Sequence, residues 1–215
     1  TNVSHDIKTP LTSIINYTEL LKQEKLDNER AGEYIGVLDK QAARLKKLTE
    51  DIVEASKAST GNLPVELREC SLGMILNQAL GEYEDKLLDA GLKPVVNIAD
   101  EDMHIMADGR HLWRIIDNLL GNICKYAQGG TRVYLDVYRV GNKAVMSFKN
   151  ISKYELNISA DELMERFVRG DESRNTEGSG LGLSIAGNLA ALQGGELKLA
   201  IDGDLFKATV EFNVI

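Results

Sequence analysis

From Ile7, the seam positions Ile7, Leu11, Ile14, Thr18 and Leu21 recur at alternating steps of four and three. That spacing keeps one stripe of a helix turned toward a partner. The pattern predicts a helix from about Asn2 to Lys25, followed by a turn at Leu26-Asp27-Asn28-Glu29 in which Asp27 or Asn28 can cap the next helix. The second helix carries Ile35, Leu38, Ala42, Leu45, Thr49 and Ile52 on the same seam, with Lys40, Arg44, Lys46, Lys47 and Glu50 outside it. Two helices joined by a short loop form an antiparallel hairpin. A hairpin cannot bury its seam on all sides, so the expectation is a homodimer, two hairpins making a four-helix bundle. The alternative cover is the downstream half of the same chain.

The pattern breaks at Ala58-Ser59-Thr60-Gly61-Asn62-Leu63-Pro64, which is small, polar and punctuated by Gly and Pro. The expected organisation is a hairpin domain at 1–58, a linker at 59–64 and a second domain at 65–215. Within the latter, Val65 to Cys70 alternates as a strand, and Ser71 caps a helix reaching about Ala90. Lys93 to Ile98 and His104 to Ala107 read as short strands, and a helix follows from about His111 to Ala127. Thr131 to Val140 and Lys143 to Lys149 alternate around Gly141-Asn142 as a hairpin. A loop-rich stretch leads to Gly180, then a helix from Leu181 to about Gln193 and two closing strands around Asp202-Gly203-Asp204. The fold class is α+β: a helical hairpin followed by a sandwich of one mixed sheet with helices on one face.

Composition narrows the function. The 215 residues carry a formal net charge of -8, which disfavours sequence-independent binding of nucleic acid. Cys70 and Cys124 stand in unrelated contexts, and neither they nor His104 and His111 have partners at metal-ligand spacing. No apolar run has membrane-spanning length, and the expectation is that no signal peptide is present. Because Thr1 falls inside a helical pattern, the expectation is a cytoplasmic fragment whose upstream part is missing.

Three stretches carry candidate chemistry. In Ser4-His5-Asp6-Ile7-Lys8-Thr9-Pro10-Leu11, the His5 imidazole has a carboxylate that can accept its proton and, in Lys8, a cation that can meet incoming negative charge. Thr9 lies one turn on, and Pro10 is expected to kink the helix. A lone helical histidine is otherwise an ordinary surface or core residue. On the helix after His111, Asn118, Asn122 and Lys125 share one face, where an amide oxygen can hold a metal ion and an ammonium a phosphate. Asparagines on a helix are otherwise solvated. Gly178-Ser179-Gly180-Leu181-Gly182-Leu183 opens a helix, where backbone amides can approach phosphate. It matches neither a Walker loop nor a dinucleotide fingerprint.

Together these stretches resemble the sensor histidine kinases. Ser-His-Asp-Ile-Lys-Thr-Pro-Leu resembles their H-box, Asn118 to Tyr126 their N-box, and the glycine run their G2-box; Arg166-Phe167-Val168-Arg169 resembles the F-box of the lid over ATP. The resemblance implies a GHKL-type ATP-binding domain and a phosphorylated His5, with Asp6 as proton acceptor and Asn122 as the magnesium ligand. It further implies phosphate contacts from Lys125 and support from Asn118 and Tyr126. Gly178, Gly180, Leu181, Gly182 and Leu183 lie against the triphosphate, Arg169 meets the γ-phosphate and Phe167 anchors the lid or packs in the core. ATP and Mg2+ are the implied cofactors. The implied partners are a second copy and the receiver domain of a response regulator, with a membrane reached only through an upstream sensor region, as in bacterial inner-membrane sensors. Thr9 is implied in removing phosphate from the regulator. One box departs: the family has Asp-x-Gly-x-Gly where this chain reads Phe148-Lys149-Asn150-Ile151-Ser152. Asn150 still offers a carbonyl acceptor for adenine, or else merely caps the strand. The degenerate box motivates the alternative of a scaffold that dimerises and binds a regulator without turnover.

Overall fold

The seam residues at the start of the chain form two long helices, α1 (Asn2–Gln23) and α2 (Glu29–Ser59). This computed structural model describes residues 2–23, 29–99, 103–164 and 180–215, and of 2–10 and 29–30 the backbone only. Two compact units result, Thr1–Ser56 and Lys57–Ile215; α2 runs on past their boundary to Ser59. In the first unit, α1 continues through Pro10 as one helix.

Among the described residues, only half of the seam is buried. Leu11 and Thr18 on α1 and Ile35, Ala42 and Thr49 on α2, spaced by sevens, are buried, whereas Ile14, Leu21, Leu38, Leu45 and Ile52 are exposed. The two buried threonines are tolerated because each hydroxyl donates to its own helix, Thr18 Oγ1 to the Ile14 carbonyl at 2.7 Å and Thr49 Oγ1 to Lys46 at 2.8 Å. An ion pair between Lys22 and Asp39 joins α1 to α2. Being half-exposed, it is worth at most about 1 kcal/mol, so the apolar register sets the pairing.

The second unit is built on a five-stranded sheet in the order β2-β4-β5-β7-β6. Its strands are β2 (Lys93–Ile98), β4 (Arg132–Val140), β5 (Lys143–Ile151), β6 (Glu196–Asp202) and β7 (Leu205–Asn213). Only β2 and β4 run parallel; the other pairs are antiparallel. Alternation puts Val133, Leu135, Val137, Met146, Phe148 and Val210 on one face, all at most 1% exposed. Helices α3 (Leu72–Asp89), α4 (Gly109–Tyr126) and α6 (Gly182–Leu192) supply the buried apolar stripes that complete the core. The other face is polar, with Lys149 on Asp136 at 2.9 Å and Lys198 on Glu211 at 2.8 Å.

Three expectations need correction. The first and third strands do not join the large sheet: β1 (Arg68–Ser71) and β3 (His104–Ala107) pair with each other as a separate antiparallel ribbon. Each feeds a helix at once, β1 through the Ser71 cap of α3 and β3 through the Asp108 cap of α4, which draws both away from the sheet. The strand expected from Val65 begins only at Arg68, because the Glu66 N–H donates to the Asp108 carboxylate at 3.0 Å rather than to a ladder. The loop-rich stretch contains a short helix, α5 (Ala160–Met164). Its start is a reciprocal cap: the Glu162 N–H donates to Ser159 Oγ at 3.2 Å, and the Ser159 N–H to the Glu162 carboxylate at 2.9 Å.

Glycine at 195 is a packing requirement. A Cβ there would lie 2.4 Å from the Phe212 ring and 2.8 Å from the Glu211 carbonyl oxygen. Phe212 is 2% exposed and cannot swing away. Gly195→Ala is therefore expected to cost about 3 kcal/mol of overpacking and to lower the melting temperature by roughly 6–12 °C, read by calorimetry. An unchanged melting temperature would show that β7 shifts at no cost.

Candidate active site

Helix α4 is the scaffold of the site. Its start is fixed by Asp108, whose Oδ1 accepts the Arg110 N–H at 3.0 Å and whose own N–H donates to Gln193 Oε1 at 2.7 Å, tying α4 to the end of α6. The Arg110 guanidinium holds the Asp108 carboxyl well below the usual carboxylate range; burial opposes this, and the Glu66 and Arg110 N–H groups reinforce it. With its folded pKa below the unfolded one, Asp108 contributes stability above the ordinary aspartate range. That contribution declines progressively as pH falls from the unfolded value through the folded one.

Along α4, Leu112, Ile115, Ile116, Leu119, Leu120 and Ile123 are buried, and this stripe turns Asn118 and Asn122 to the partly open side. Asn118 Nδ2 donates to the Arg114 carbonyl at 2.8 Å. Its Oδ1 faces the first residue of α6: a Cβ on Gly182 would lie 3.1 Å from Asn118 Oδ1 and 3.8 Å from Asn122 Oδ1. Glycine lets the start of α6 lie against both amides. Gly180, at φ +70, turns the chain through the left-handed region just before it. Leu181, buried, precedes the helix rather than opening it, and its carbonyl accepts the Ile185 N–H at 2.8 Å and the Ser184 hydroxyl at 2.9 Å. Leu183 is half-buried on the first turn. The N–H groups of a helix start here stand beside two amide side chains, an arrangement suited to a cation and the phosphates it accompanies.

The other end of α4 is tied to the end of β5. Gln128 N–H donates to the Ile151 carbonyl at 2.8 Å, Lys153 N–H to the Tyr126 carbonyl at 2.9 Å, and Ala127 bridges Ser152. Lys125, on the last turn of α4, is exposed, and Tyr126 is half-buried. Asn150 is 4% exposed, on the core side of the sheet, and its Nδ2 donates to the Ile151 carbonyl at 3.2 Å. A buried amide at a strand end, with an acceptor and a donor, is suited to reading a base edge. The strand ladder continues through it to Ile151, opposite Leu205. One compact unit thus carries Asn118, Asn122, Lys125, Tyr126, Asn150 and the Gly180–Leu183 turn, and within it Gly182 lies against Asn118 and Asn122.

Two parts of the chain match known families. Residues 1–61 match the His Kinase A (phospho-acceptor) domain, and residues 107–213 match the family described as histidine kinase-, DNA gyrase B- and HSP90-like ATPase. The chain belongs to the sensor histidine kinase family. Its two matched domains are those of protein histidine kinases, the second an ATP-binding domain of the GHKL class. Histidine protein kinase SaeS of Staphylococcus aureus is 32% identical over 212 residues, covering 95% of this chain and 59% of that protein. Sensor protein VanS of Enterococcus faecium is 29% identical over 201 residues, covering 91% and 51%. The chain thus spans little more than half the length of these relatives. Among solved structures, full-length ShkA in complex with AMPPNP superposes with a TM-score of 0.84 at 23% identity, covering 99% of this chain and 45% of that one. Histidine kinase ThkA in complex with the response regulator protein TrrA gives 0.65 at 18%, covering 100% and 60%. Both likenesses concern the fold.

His5, Asp6, Lys8 and Thr9 lie on the first turns of α1, with His5 and Thr9 one turn apart. Phe167, Arg169 and Gly178 lie outside the described residues. No helix among the described residues is long and apolar enough to cross a membrane. Two features of the site are not evident from sequence pattern: the contact of Gly182 with Asn118, and the polar partners behind α4, among them Asp117. The Asp117-Asn118 pair, with Arg114 three residues before, is the available signal for the latter.

Proposed function

We propose that this chain is the kinase core of a two-component sensor, which uses magnesium-ATP to phosphorylate His5 and passes the phosphoryl group to an aspartate of a response regulator. The observation that carries this reading is the start of α6 lying against Asn118 and Asn122 with no side chain between. In this reading Asn122 ligates Mg2+ by its amide oxygen while Asn118, held by the Arg114 carbonyl, supports it. Magnesium, when bound, neutralises charge on the phosphate oxygens. Lys125 and the N–H groups at the start of α6 take the phosphates, and Tyr126 borders them. By the resemblance Arg169 is the residue for the γ-phosphate; it and Phe167 lie outside the described residues.

His5 attacks the γ-phosphorus through one ring nitrogen. The N–P bond forms as the bond to the bridging oxygen of ADP breaks, and the proton on the other ring nitrogen passes to Asp6. Lys8 offsets the arriving negative charge, and Thr9 serves the reverse duty of dephosphorylating the regulator. The AMPPNP complex of ShkA and the regulator complex of ThkA support both halves of this scheme by analogy of fold. The exposed half-seam of Ile14, Leu21, Leu38, Leu45 and Ile52 supports homodimerisation, since a second hairpin offers the same apolar stripe.

A second reading, a scaffold without turnover, is favoured by one feature: β5 keeps its ladder to Ile151, and Ser152 stands where the family has the first glycine of the box. Incubation with γ-labelled ATP separates the two. Acid-labile, base-stable label supports the kinase; bound nucleotide without label supports the scaffold.

Asn150 is the adenine reader in both readings. Asn150→Ala is expected to weaken ATP binding by about 1 to 3 kcal/mol, the cost of leaving buried partners unpaired. Asn150→Asp is expected to retain the preference for ATP over GTP. Calorimetric titration with both nucleotides decides: wild-type ATP affinity in Asn150→Ala would make Asn150 a strand cap.

A further inference from the structure

The rotation of α4 about its axis decides where Asn118 and Asn122 point, since each residue step turns a side chain by about 100°. Polar contacts on the side of α4 facing α3 hold that rotation. Tyr83, on α3 and 5% exposed, donates its hydroxyl hydrogen to Asp117 Oδ1 at 2.6 Å and leans toward the Asp117 carbonyl at 3.1 Å. Arg114 Nη1 holds the other oxygen, Asp117 Oδ2, at 3.2 Å. The carbonyl of the same arginine receives the Asn118 amide hydrogen at 2.8 Å, which leaves Asn118 Oδ1 toward Gly182. Lys86 Nζ lies 4.0 Å from the Tyr83 ring centroid and braces the ring. Burial first, and then the bond to Asp117, push the Tyr83 hydroxyl far above the ordinary tyrosine range, so it remains a donor.

We propose that Tyr83 and Asp117 are positioning residues for the magnesium nucleotide, acting through Arg114 to set how Asn118 and Asn122 face the start of α6. Neither touches the nucleotide. Their effect falls on the metal end of the site, because Asn150 belongs to β5 and is anchored independently of Tyr83. This proposal rests on the reading of Asn122 as the magnesium ligand.

The test is titration of the full chain with ATP, with and without Mg2+, beside a thermal melt. In Tyr83→Phe the ring stays and one hydroxyl is lost. The tightening of ATP by magnesium is expected to fall about three- to tenfold, the worth of one such bond, while magnesium-free affinity changes less than about twofold. Asp117→Asn keeps an acceptor for Tyr83 and is expected to retain more of the tightening than Asp117→Ala. A lowered melting temperature with unchanged magnesium tightening in Tyr83→Phe and Asp117→Ala would overturn the proposal and leave both as packing residues. Asn122→Asp in the same assay separates the layers. If it alters magnesium tightening and the Tyr83 variant does not, positioning falls and the site stands; if neither alters it, both fall.

Discussion

His5→Gln is expected to abolish acid-labile phosphorylation while leaving ATP affinity within about twofold of wild type. His5 and the residues proposed to bind nucleotide belong to separate compact units, Thr1–Ser56 and Lys57–Ile215, so on the proposed reading the loss of the imidazole removes the nucleophile without altering Asn150, Asn122 or the start of α6. Glutamine is a good helix former, so α1 should persist. Labelling with γ-labelled ATP and calorimetric titration on the same sample check both halves. Persistent label would move the acceptor elsewhere; a large loss of affinity would make His5 part of the nucleotide site.

Asn122→Asp is the second large effect. The substitution keeps an oxygen that can ligate a cation, but it removes the amide donor and sets a negative charge beside the triphosphate. At about 4 Å and an effective dielectric of about 20, that repulsion approaches 4 kcal/mol, of which magnesium offsets part. A fall of roughly a hundredfold in kcat/KM for ATP is expected, equivalent to about 3 kcal/mol. The half-buried Asn122 side chain leaves room for a carboxylate without disturbing the core, so the melting temperature should change little. Steady-state kinetics across a magnesium series gives the answer. Near-normal turnover with an unchanged magnesium requirement would remove Asn122 as the ligand.

Local periodicity makes much of this fold legible in the amino-acid sequence. The seam of sevens marks α1 and α2, and the shared face of Asn118, Asn122 and Lys125 follows from helical geometry alone. What the sequence could not show depends on contacts between distant residues. The Tyr83 hydroxyl reaches Asp117 across 34 positions, and Gln193 reaches the Asp108 N–H across 85. No periodicity encodes such a pairing. The late start of β1 has the same origin, since the Glu66 N–H is taken by a side chain 42 residues away. The seam also held more than one message. Its spacing predicted a stripe, but only packing revealed that Leu11, Thr18, Ile35, Ala42 and Thr49 are covered while Ile14, Leu38 and Leu45 are not.

Asn150 shows a different case, in which a departure from the family pattern singled out one residue of β5. The lost glycines left an amide where an aspartate is usual. The structure puts that amide at 4% exposure at the end of β5, on the core side of the sheet. Position along the strand, rather than residue type, placed it.

In the proposed reaction the γ-phosphoryl group of ATP ends on the imidazole of His5. The most direct measurement is to incubate the chain with magnesium and γ-labelled ATP, digest it at alkaline pH and locate the label by mass spectrometry. Label on the peptide containing His5, stable in base and lost in acid, is the predicted result. Label on a serine, threonine or aspartate, or ATP bound with no label anywhere on the chain, would contradict it.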